Sequence, residues 1–336
     1  MKPTSVVAIA ALAFTATAAA IELPSEHHER FLAEQLTLEE ELAAWKESAA
    51  GQVALERGFY TEDEHESASL DHLKRFFLTK VSIAEAQALN PEAVLSTDSP
   101  FTLLTDDEFA AWVSRGSNGT DATALLSEGT TVEEETGRLG RQLATTVDWT
   151  TSGCVSGVKD QGDCGSCWAF SAVGALESAY CLSKGALSLF SDQQVTSCDS
   201  VSYGCDGGWP LWGLNYVKSA GYICTQSSYP FTSGTTGTTG SCKASSCSSK
   251  TSVTIKSVVT ISATESALYT SGVLSSCSTS TLDHAVLAVG YDSTSFKIKN
   301  QWGTSWGNSG YINLKRNGAS SACSVVNSHN VYPTLS

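Results

Sequence analysis

The cysteines of this chain are concentrated in one region of the sequence. All 11 lie between Cys154 and Cys323, and the 153 residues before Cys154 contain none. An odd number of cysteines in a disulfide-bonded chain leaves one thiol outside the bridges. The simplest arrangement is therefore five disulfides and one reactive cysteine, although the odd count alone also allows an unpaired buried cysteine with no role.

The charge of the chain is distributed just as unevenly. The formal net charge is −15. Residues 21–141 contain 25 acidic and nine basic residues, whereas the chain from Leu143 onward contains ten of each. This asymmetry predicts two regions with separate roles, an acidic segment over 21–141 and a neutral domain over 142–336. Neither region has the clustered Lys and Arg of a nucleic-acid-binding surface.

The first 20 residues form a segment of their own. Met1-Lys2 precedes an apolar run from Val6 to Ala20, which is shorter than the roughly 20 residues that a membrane-spanning helix needs. Ala-x-Ala triplets after such a run are typical of a cleavable secretory signal. We therefore interpret residues 1–20 as a signal peptide and expect a soluble product that is secreted or sent to a lysosome-like vacuole. A buried N-terminal helix or a membrane anchor is the alternative.

The acidic segment has the apolar spacing of helices. Leu38 to Trp45 and Leu70 to Leu89 carry apolar residues at helical intervals. Asn90-Pro91 ends the second stretch, because the residue before a proline is pushed out of helical geometry. The pattern resumes over Phe101 to Trp112, where Thr105 and the acidic residues after it indicate a helix start.

A linker is expected between the acidic segment and the neutral domain. Residues 114–145 are polar and rich in glycine, so they have no core of their own. Asn118-Gly119-Thr120 is an acceptor triplet for N-glycosylation at Asn118. Gly137 to Arg141 is an accessible target for processing, since nicking concentrates in exposed segments.

The neutral domain is predicted to be helical first and rich in strands afterwards. Ser166 to Lys184 has the spacing of an amphipathic helix that Gly185 can terminate, and a second helix is expected over Ser191 to Cys198. Thr232 to Ser241 is a Gly/Thr/Ser tract that we interpret as a solvated loop. Period-two patterns then follow at 253–261, 285–291, 296–299 and 311–314. This order indicates an α+β protein with two packed halves.

One cysteine and one histidine have the surroundings of a nucleophile and its base. Cys167 lies at the start of the predicted helix, where unpaired backbone N–H groups favour a thiolate. The neutral domain contains only two histidines, His284 and His329. His284 is at the head of a predicted strand, whereas His329 is in a polar stretch near the C-terminus. We therefore expect His284 to be the base that activates Cys167.

Several segments resemble the papain family of cysteine peptidases, including the cathepsins. Cys164-Gly165-Ser166-Cys167-Trp168 has the local signature of that family. Asn300-Gln301-Trp302-Gly303-Thr304-Ser305-Trp306-Gly307 is similar to its Asn-Ser-Trp-Gly-x-x-Trp-Gly segment, with glutamine in place of the usual serine at position 301. Gly204-Cys205-Asp206-Gly207-Gly208 resembles its Gly-Cys-x-Gly-Gly segment.

The resemblance implies a role for each matched residue. Cys167 would be the nucleophile, His284 the base and Asn300 the group that orients the imidazole, with Trp302 shielding that hydrogen bond from water. Gln161 would donate to the oxyanion. The substrate would lie against a set of mostly apolar or glycine residues, namely Gly207, Gly208, Trp209, Pro210, Leu282, Asp283 and Trp302.

Disulfides are implied in the same way. The family pattern pairs Cys164 with Cys205, Cys198 with Cys242 and Cys277 with Cys323. The remaining residues outside these pairs and Cys167 are even in number, so they allow two further bridges whose connectivity stays open: Cys154, Cys181, Cys224 and Cys247.

The resemblance also implies an architecture and a set of partners. The expected fold is the papain-like α+β fold of two lobes, a helical left lobe and a β-barrel-like right lobe, preceded by a mainly helical inhibitory prosegment. The expected partners are polypeptide substrates, the chain's own propeptide and cystatin-like inhibitors, with no cofactor or metal and a monomeric state. Internal cleavage is expected, because family members that remove C-terminal dipeptides use histidines on an inserted loop and this domain has no histidine before His284.

Three other functions were weighed against this one. Cys164-Gly165-Ser166-Cys167 is also a C-x-x-C at a helix start, as in thioredoxin-like oxidoreductases, but that function needs a βαβ setting and an exchangeable Cys164. A zinc module would need a second C-x-x-C or a His pair at ligand spacing. An inactive relative that serves as a binding protein would usually have lost the cysteine or the histidine.

Overall fold

A computed structural model describes residues 21–62, 66–114, 146–260, 267–277, 284–317, 320–324 and 331–335. The signal peptide, Asn118, the processing target at Gly137 to Arg141, and His329 lie outside the described residues, as do the expected substrate contacts Leu282 and Asp283. None of the described helices combines the length and the apolar character that crossing a bilayer requires.

Four helices and one short strand make up the described part of the acidic segment. They are α1 (His28–Glu47), α2 (Ala49–Glu56), α3 (Glu66–Leu89), strand β1 (Ala93–Leu95) and α4 (Asp106–Ser114). The predicted helices at 38–45 and 70–89 are confirmed inside α1 and α3. The third predicted helix is α4, which begins at Asp106 just after the expected start signal. Thr105 caps it: the Thr105 hydroxyl accepts from Glu108 N at 3.1 Å, and Thr105 N donates to the Glu108 carboxylate at 2.9 Å.

These helices enclose a small core of their own. The apolar residues that recur along α1 face those of α3, and the buried members include Leu38, Leu42, Trp45, Leu73, Phe76 and Phe77. Arg75 crosses from α3 to α4, donating to Asp71 at 2.7 Å, to Glu108 at 2.5 Å and to the carbonyl oxygen of Leu103 at 3.1 Å. The acidic segment, which corresponds to the expected prosegment, is therefore a folded unit with its own core.

The helical half of the neutral domain is built around α5 (Cys167–Lys184), which packs against α6 (Asp192–Cys198) and α7 (Pro210–Ala220). Three further short elements complete its surface: β3 (Tyr222–Cys224), α8 (Ser233–Thr236) and β4 (Lys250–Ser252). The predicted loop at 232–241 therefore contains one helical turn, and its Ser233 is buried because it bonds Gln193 of α6 at 2.7 Å.

Two late strands also belong to the helical half. β5 (Ile255–Thr260) pairs antiparallel with β11 (Val331–Leu335), and this pair packs on α5 and α7. Val253 and Ile255 are buried in the core formed by these helices. The period-two pattern at 253–261 thus predicted a strand correctly, but the strand does not lie in the second half as the chain order suggested.

The strand-rich half contains a sheet whose strands from the neutral domain are β2 (Val147–Asp148), β6 (Tyr269–Leu274), β7 (Leu287–Tyr291), β8 (Ser295–Lys299), β9 (Tyr311–Asn317) and β10 (Ser320–Ser321). Together with β1 they form a seven-stranded sheet of order β1-β6-β9-β8-β7-β2, with β10 paired to β9. β6 and β9 are parallel, and the other neighbours are antiparallel. Its core contains Tyr269, Ile298, Trp302, Trp306, Ile312 and Leu314.

The prosegment supplies the outer strand of this sheet. β1 pairs antiparallel with β6, placing Ala93 opposite Gly272. Gly272 has φ +82°, and a Cβ there would lie 2.2 Å from the carbonyl oxygen of Glu92. A glycine is therefore required at this position for the prosegment backbone to approach.

Five disulfides join the neutral domain. The three pairings that the resemblance implied are present, and the two that stayed open are Cys154–Cys181 and Cys224–Cys247. Cys167 takes part in none of the five. The helical half, the strand-rich half and the helical segment before them confirm the expected α+β fold of two lobes with a preceding prosegment.

Candidate active site

Cys167 is the first residue of α5 and is 3% exposed. Helix formation begins at Ser166, whose carbonyl oxygen accepts from Ala169 N at 2.9 Å and from Phe170 N at 3.1 Å. The loop before it is fixed by the Cys164–Cys205 disulfide and by Gly165 N, which donates to the carbonyl oxygen of Cys205 at 2.9 Å. The thiol is thus held at the positive end of the helix, where a thiolate is favoured.

His284 and Asn300 lie together in the strand-rich half. Nε2 of His284 is 2.9 Å from Oδ1 of Asn300, and both residues are buried. The ring of Trp302 covers the imidazole at a centroid distance of 4.7 Å and an angle of 30°. Burial lowers the pKa of His284 to about 4, although the hydrogen bond that the ring donates to Asn300 Oδ1 acts in the opposite direction. The imidazole is therefore neutral at neutral pH in this structure.

The two lobes are joined directly beneath these residues. The hydroxyl of Ser171, one turn after Cys167, donates to the carbonyl oxygen of Val286, two residues after His284, at 2.9 Å. This bond fixes the start of α5 relative to the histidine.

Gln161 is buried beside the start of α5. Its Nε2 donates to the carbonyl oxygen of Cys164 at 3.0 Å, and its backbone N–H donates to the carbonyl oxygen of Gln301 at 2.9 Å. Its Oε1 is buried and has no hydrogen-bond partner among the described residues. One of the two amide hydrogens is therefore used inside the protein, and the second is available to another acceptor.

The glycine segment lies on the helical half, next to Cys205. Gly207 has φ +117°, and a Cβ on Gly208 would lie 2.6 Å from the Ser202 hydroxyl oxygen and 2.8 Å from the Trp168 ring. Packing inside the protein is therefore a sufficient reason for glycine at position 208. Trp209 precedes α7 and is half-buried, whereas Pro210 is buried as the first residue of that helix.

Prosegment side chains cover the strand-rich side of the site. The rings of Phe101, Phe109 and Trp112 lie 5.2, 5.7 and 5.4 Å from the ring of Trp302. Arg57 contacts Asp160 and donates to the carbonyl oxygen of Trp302 at 3.2 Å. Sequence reasoning missed Arg57, because a single arginine after a short apolar helix carries no signal of a distant partner.

A buried group of charged residues joins the lobes below the site. Lys159 bonds Glu177 at 2.9 Å and Asp192 at 2.8 Å, both on helices of the helical half. Lys299, at the end of β8, donates to the carbonyl oxygen of Ser156 at 2.8 Å, and the Ser156 hydroxyl donates to Glu177 at 2.6 Å. This network could not be predicted from the sequence, since its members are far apart along the chain.

The alternative functions fit this geometry less well. Cys164 is held in a disulfide with Cys205 and is not available for exchange with Cys167. Within the parts of the chain that the structure describes, no group of three or more His, Cys, Asp and Glu residues is placed to hold a metal ion.

Comparison with known proteins identifies the family. The sequence model of the papain family of cysteine proteases matches residues 143–268 and 256–334. Digestive cysteine proteinase 1 of Homarus americanus is 39% identical over 219 residues, which are 57% of this chain and 67% of that protein. Cysteine proteinase B of Leishmania mexicana is 36% identical over 258 residues, which are 68% of this chain and 57% of that protein. The similarity thus spans about two thirds of these relatives or less.

Two solved structures extend the similarity over the acidic segment. Digestive procathepsin L 3 of Tenebrio molitor larval midgut superposes with a TM-score of 0.67 at 27% identity, covering 89% of this chain and 99% of that one. The proform of Amb a 11, a ragweed pollen cysteine protease, gives a TM-score of 0.73 at 25% identity and covers 92% and 98%. Both are precursor forms. Because the family model matches more than half of the residues, this chain belongs to the papain family of cysteine proteases.

Proposed function

We propose that this chain is the precursor of a cysteine endopeptidase that hydrolyses peptide bonds with Cys167, His284 and Asn300. The supporting observation is the 2.9 Å contact between His284 Nε2 and Asn300 Oδ1, beneath Trp302 and joined to the start of the Cys167 helix. Because Asn300 occupies Nε2, the other ring nitrogen, Nδ1, exchanges protons with the thiol.

The reaction proceeds in two halves. The Cys167 thiolate attacks the scissile carbonyl carbon, and the oxyanion accepts from the remaining amide hydrogen of Gln161 and from the backbone N–H of Cys167. The His284 imidazolium gives its Nδ1 proton to the leaving amine, which departs as the C–N bond breaks and leaves a thioester. His284 then takes a proton from water, and the resulting hydroxide displaces the thiolate to release the acid.

The acidic segment acts as the inhibitor of this site. Residues 21–141 form the propeptide after removal of the signal peptide at 1–20, and cleavage of the linker releases the peptidase over 142–336. The covering of Trp302 by three prosegment aromatic rings supports this assignment. The prosegment must leave before His284 becomes accessible to substrate.

The substrate is a polypeptide held against the glycine segment. Gly207 and Gly208 face its backbone, while Trp209, Pro210 and Leu282 surround the residue second from the scissile bond on the acyl side. All three are apolar or aromatic, so the preference is for a bulky apolar residue, graded because one methylene is worth about 1–3 kcal/mol.

The expected signal peptide and the names of several relatives support secretion of the enzyme or its delivery to a vacuole. Several relatives are named digestive proteinases, which fits a secreted or vacuolar enzyme. The product acts as a monomer and is open to cystatin-like inhibitors once the prosegment is gone.

The test is a Cys167→Ser variant of the full precursor. The variant should fold, remain unprocessed in acid and resist labelling by a peptidyl epoxide, whereas the wild type is processed, labelled and active on a peptide library. Trp149→Ala, at an exposed position, serves as the matched surface control. Hydrolysis by Cys167→Ser at even a tenth of the normal rate would refute the mechanism.

A further inference from the structure

Gln301 contacts every other residue of the proposed catalytic set except Cys167. It is 5% exposed and lies between Asn300 and Trp302. Its backbone N–H donates to Oδ1 of Asn300 at 2.8 Å, and its carbonyl oxygen accepts from Gln161 N at 2.9 Å. Its side-chain Nε2 donates to the carbonyl oxygen of Ala285 at 2.8 Å and lies 3.3 Å from Nε2 of His284.

We propose that Gln301 is a positioning residue that fixes the His284 ring and weakens its hold on a proton. This inference rests on the proposed function, because it concerns the histidine of that reaction. The glutamine side chain reaches both the His284 ring and the carbonyl oxygen of Ala285. The serine usual at this position in the family is too short to contact both groups.

The orientation of the Gln301 amide is set by its partner. The nitrogen faces the carbonyl oxygen of Ala285, since the flipped amide would bring two oxygen atoms together. The same nitrogen therefore faces His284 Nε2, and it can only donate. Asn300 Oδ1, on the other side of Nε2 at 2.9 Å, can only accept.

These two neighbours favour different protonation states of the ring. In the imidazolium, Nε2–H donates to Asn300, and the amide hydrogens of Gln301 face a positive ring. Loss of the Nδ1 proton leaves a neutral ring that keeps its Nε2–H on Asn300, and the amide hydrogens of Gln301 then no longer face a positive charge. Gln301 therefore disfavours the imidazolium relative to the neutral ring.

The charged groups next to Gln301 belong to one buried network. Lys159 and Lys299 line the same small cavity as Gln301; Glu177 and Asp192 bond Lys159, and Lys299 donates to the carbonyl oxygen of Ser156. In the proposed mechanism the Cys167 thiolate favours the imidazolium. Because the substitution of Gln301 alters none of these groups, a change in the titration of the ring relative to the wild type reports on the amide.

The experiment measures kcat/KM against pH for the processed wild type, Gln301→Met and Gln301→Ser. Methionine keeps the length of the side chain without its donors, and serine, the usual residue of the family, is the variant expected to fold if methionine does not. Gln226→Met is the matched control, since Gln226 is outside the site. The alkaline limb reports the loss of the imidazolium proton from the thiolate–imidazolium pair.

In both Gln301 variants the alkaline limb should move to higher pH by about half a unit to one unit, with kcat/KM at the optimum lower by about two- to tenfold. A purely structural role would lower kcat/KM without moving the limb. A limb that stays in place or moves to lower pH would overturn the assignment. If the wild type itself failed to hydrolyse peptides, the proposed function would fall instead, and the two failures are thereby distinguishable.

Discussion

His72 is expected to weaken the prosegment before any carboxylate does as the pH falls. It lies on α3, with its ring 5.6 Å from the ring of Tyr60. Burial lowers its pKa to about 4, and Lys46 and Arg75 act in the same direction, while Asp71 acts against them. Its Nδ1 is buried and has no hydrogen-bond partner among the described residues. A proton on Nδ1 would therefore have no acceptor and would be repelled by two cations, with only Asp71 in its favour.

The sign and the size of the effect follow from linkage. Between its unfolded pKa of 6.5 and its folded pKa of about 4, His72 binds a proton only in the unfolded prosegment. The stability due to the neutral ring is thus complete above pH 6.5 and is lost as the pH falls through this window. For a dry site the loss would be roughly 3 kcal/mol. Water reaches the half-buried ring and reduces it to about 1–2 kcal/mol.

The carboxylates act later. Burial tends to raise the pKa of Asp71 and of Glu108, but hydrogen bonds outweigh it, from Ile21 N and Arg75 to Asp71 and from Arg75 and Thr105 to Glu108. Their pKa values therefore lie below the ordinary 3.8 and 4.5. The stability that they contribute is present above those values and is lost only at lower pH, as the pH falls through the folded pKa.

The assay is urea unfolding of the Cys167→Ser precursor at pH 7 and at about pH 4.5, followed by tryptophan fluorescence, to which Trp45 contributes with its ring 5.6 Å from that of Tyr60. His72→Gln should lose about 1–2 kcal/mol less stability between the two pH values than the parent. His28→Gln, an exposed histidine of the same prosegment, should behave as the parent. Equal losses in the parent and His72→Gln would refute the reasoning and leave acid activation to the carboxylates.

Three further substitutions test other contacts. Trp112→Ala removes a buried ring that contacts Trp302 and should cost about 3–5 kcal/mol of packing free energy. Alkylation of Cys167 in the uncleaved precursor should therefore accelerate at least tenfold at neutral pH, and an unchanged rate would contradict the covering role. Gly272→Ala should destabilise the precursor by about 2 kcal/mol more than the processed enzyme in urea, since its Cβ meets Glu92 only in the precursor; equal losses would argue against the β1 pairing. Burial lowers the pKa of Lys299 to about 8 from 10.5, so the unfolding free energy of the parent relative to Lys299→Met should rise by roughly 1–3 kcal/mol between pH 8 and 10, and a flat difference would refute that shift.

The local features of the fold could be predicted because their causes are local. The helix at Cys167 has apolar residues at helical spacing and ends at Gly185, which adopts φ +80°. The Thr105 cap needs only Glu108, three residues away. Likewise, the candidate residues Cys167, His284 and Asn300 lie in distinctive motifs, and the structure brings His284 and Asn300 together.

The remaining features depend on contacts between residues far apart in sequence. β1 is three residues long and becomes a strand only by pairing with β6, about 180 residues later. β5 has the alternation of a strand, but nothing in that pattern says that β11 is its partner or that helices lie beneath it. Gln301 was recognised as a departure from the family, yet its distance to His284 depends on how the β7–β8 pair is folded.

The exchange of strands between the halves explains how two lobes can keep Cys167 and His284 in a fixed relative position. β2 precedes the helical half in sequence but pairs with β7 of the strand-rich half. β11 follows the strand-rich half in sequence but packs on α5 of the helical half. Each lobe is thus anchored in the other at its chain ends, while the Ser171 bond to Val286 and the Lys299 bond to Ser156 connect them below the cleft. A shift of one lobe would have to break these buried hydrogen bonds and leave their donors and acceptors unpaired. We therefore expect the proposed nucleophile Cys167 and the proposed base His284 to keep their relative positions when the prosegment is removed.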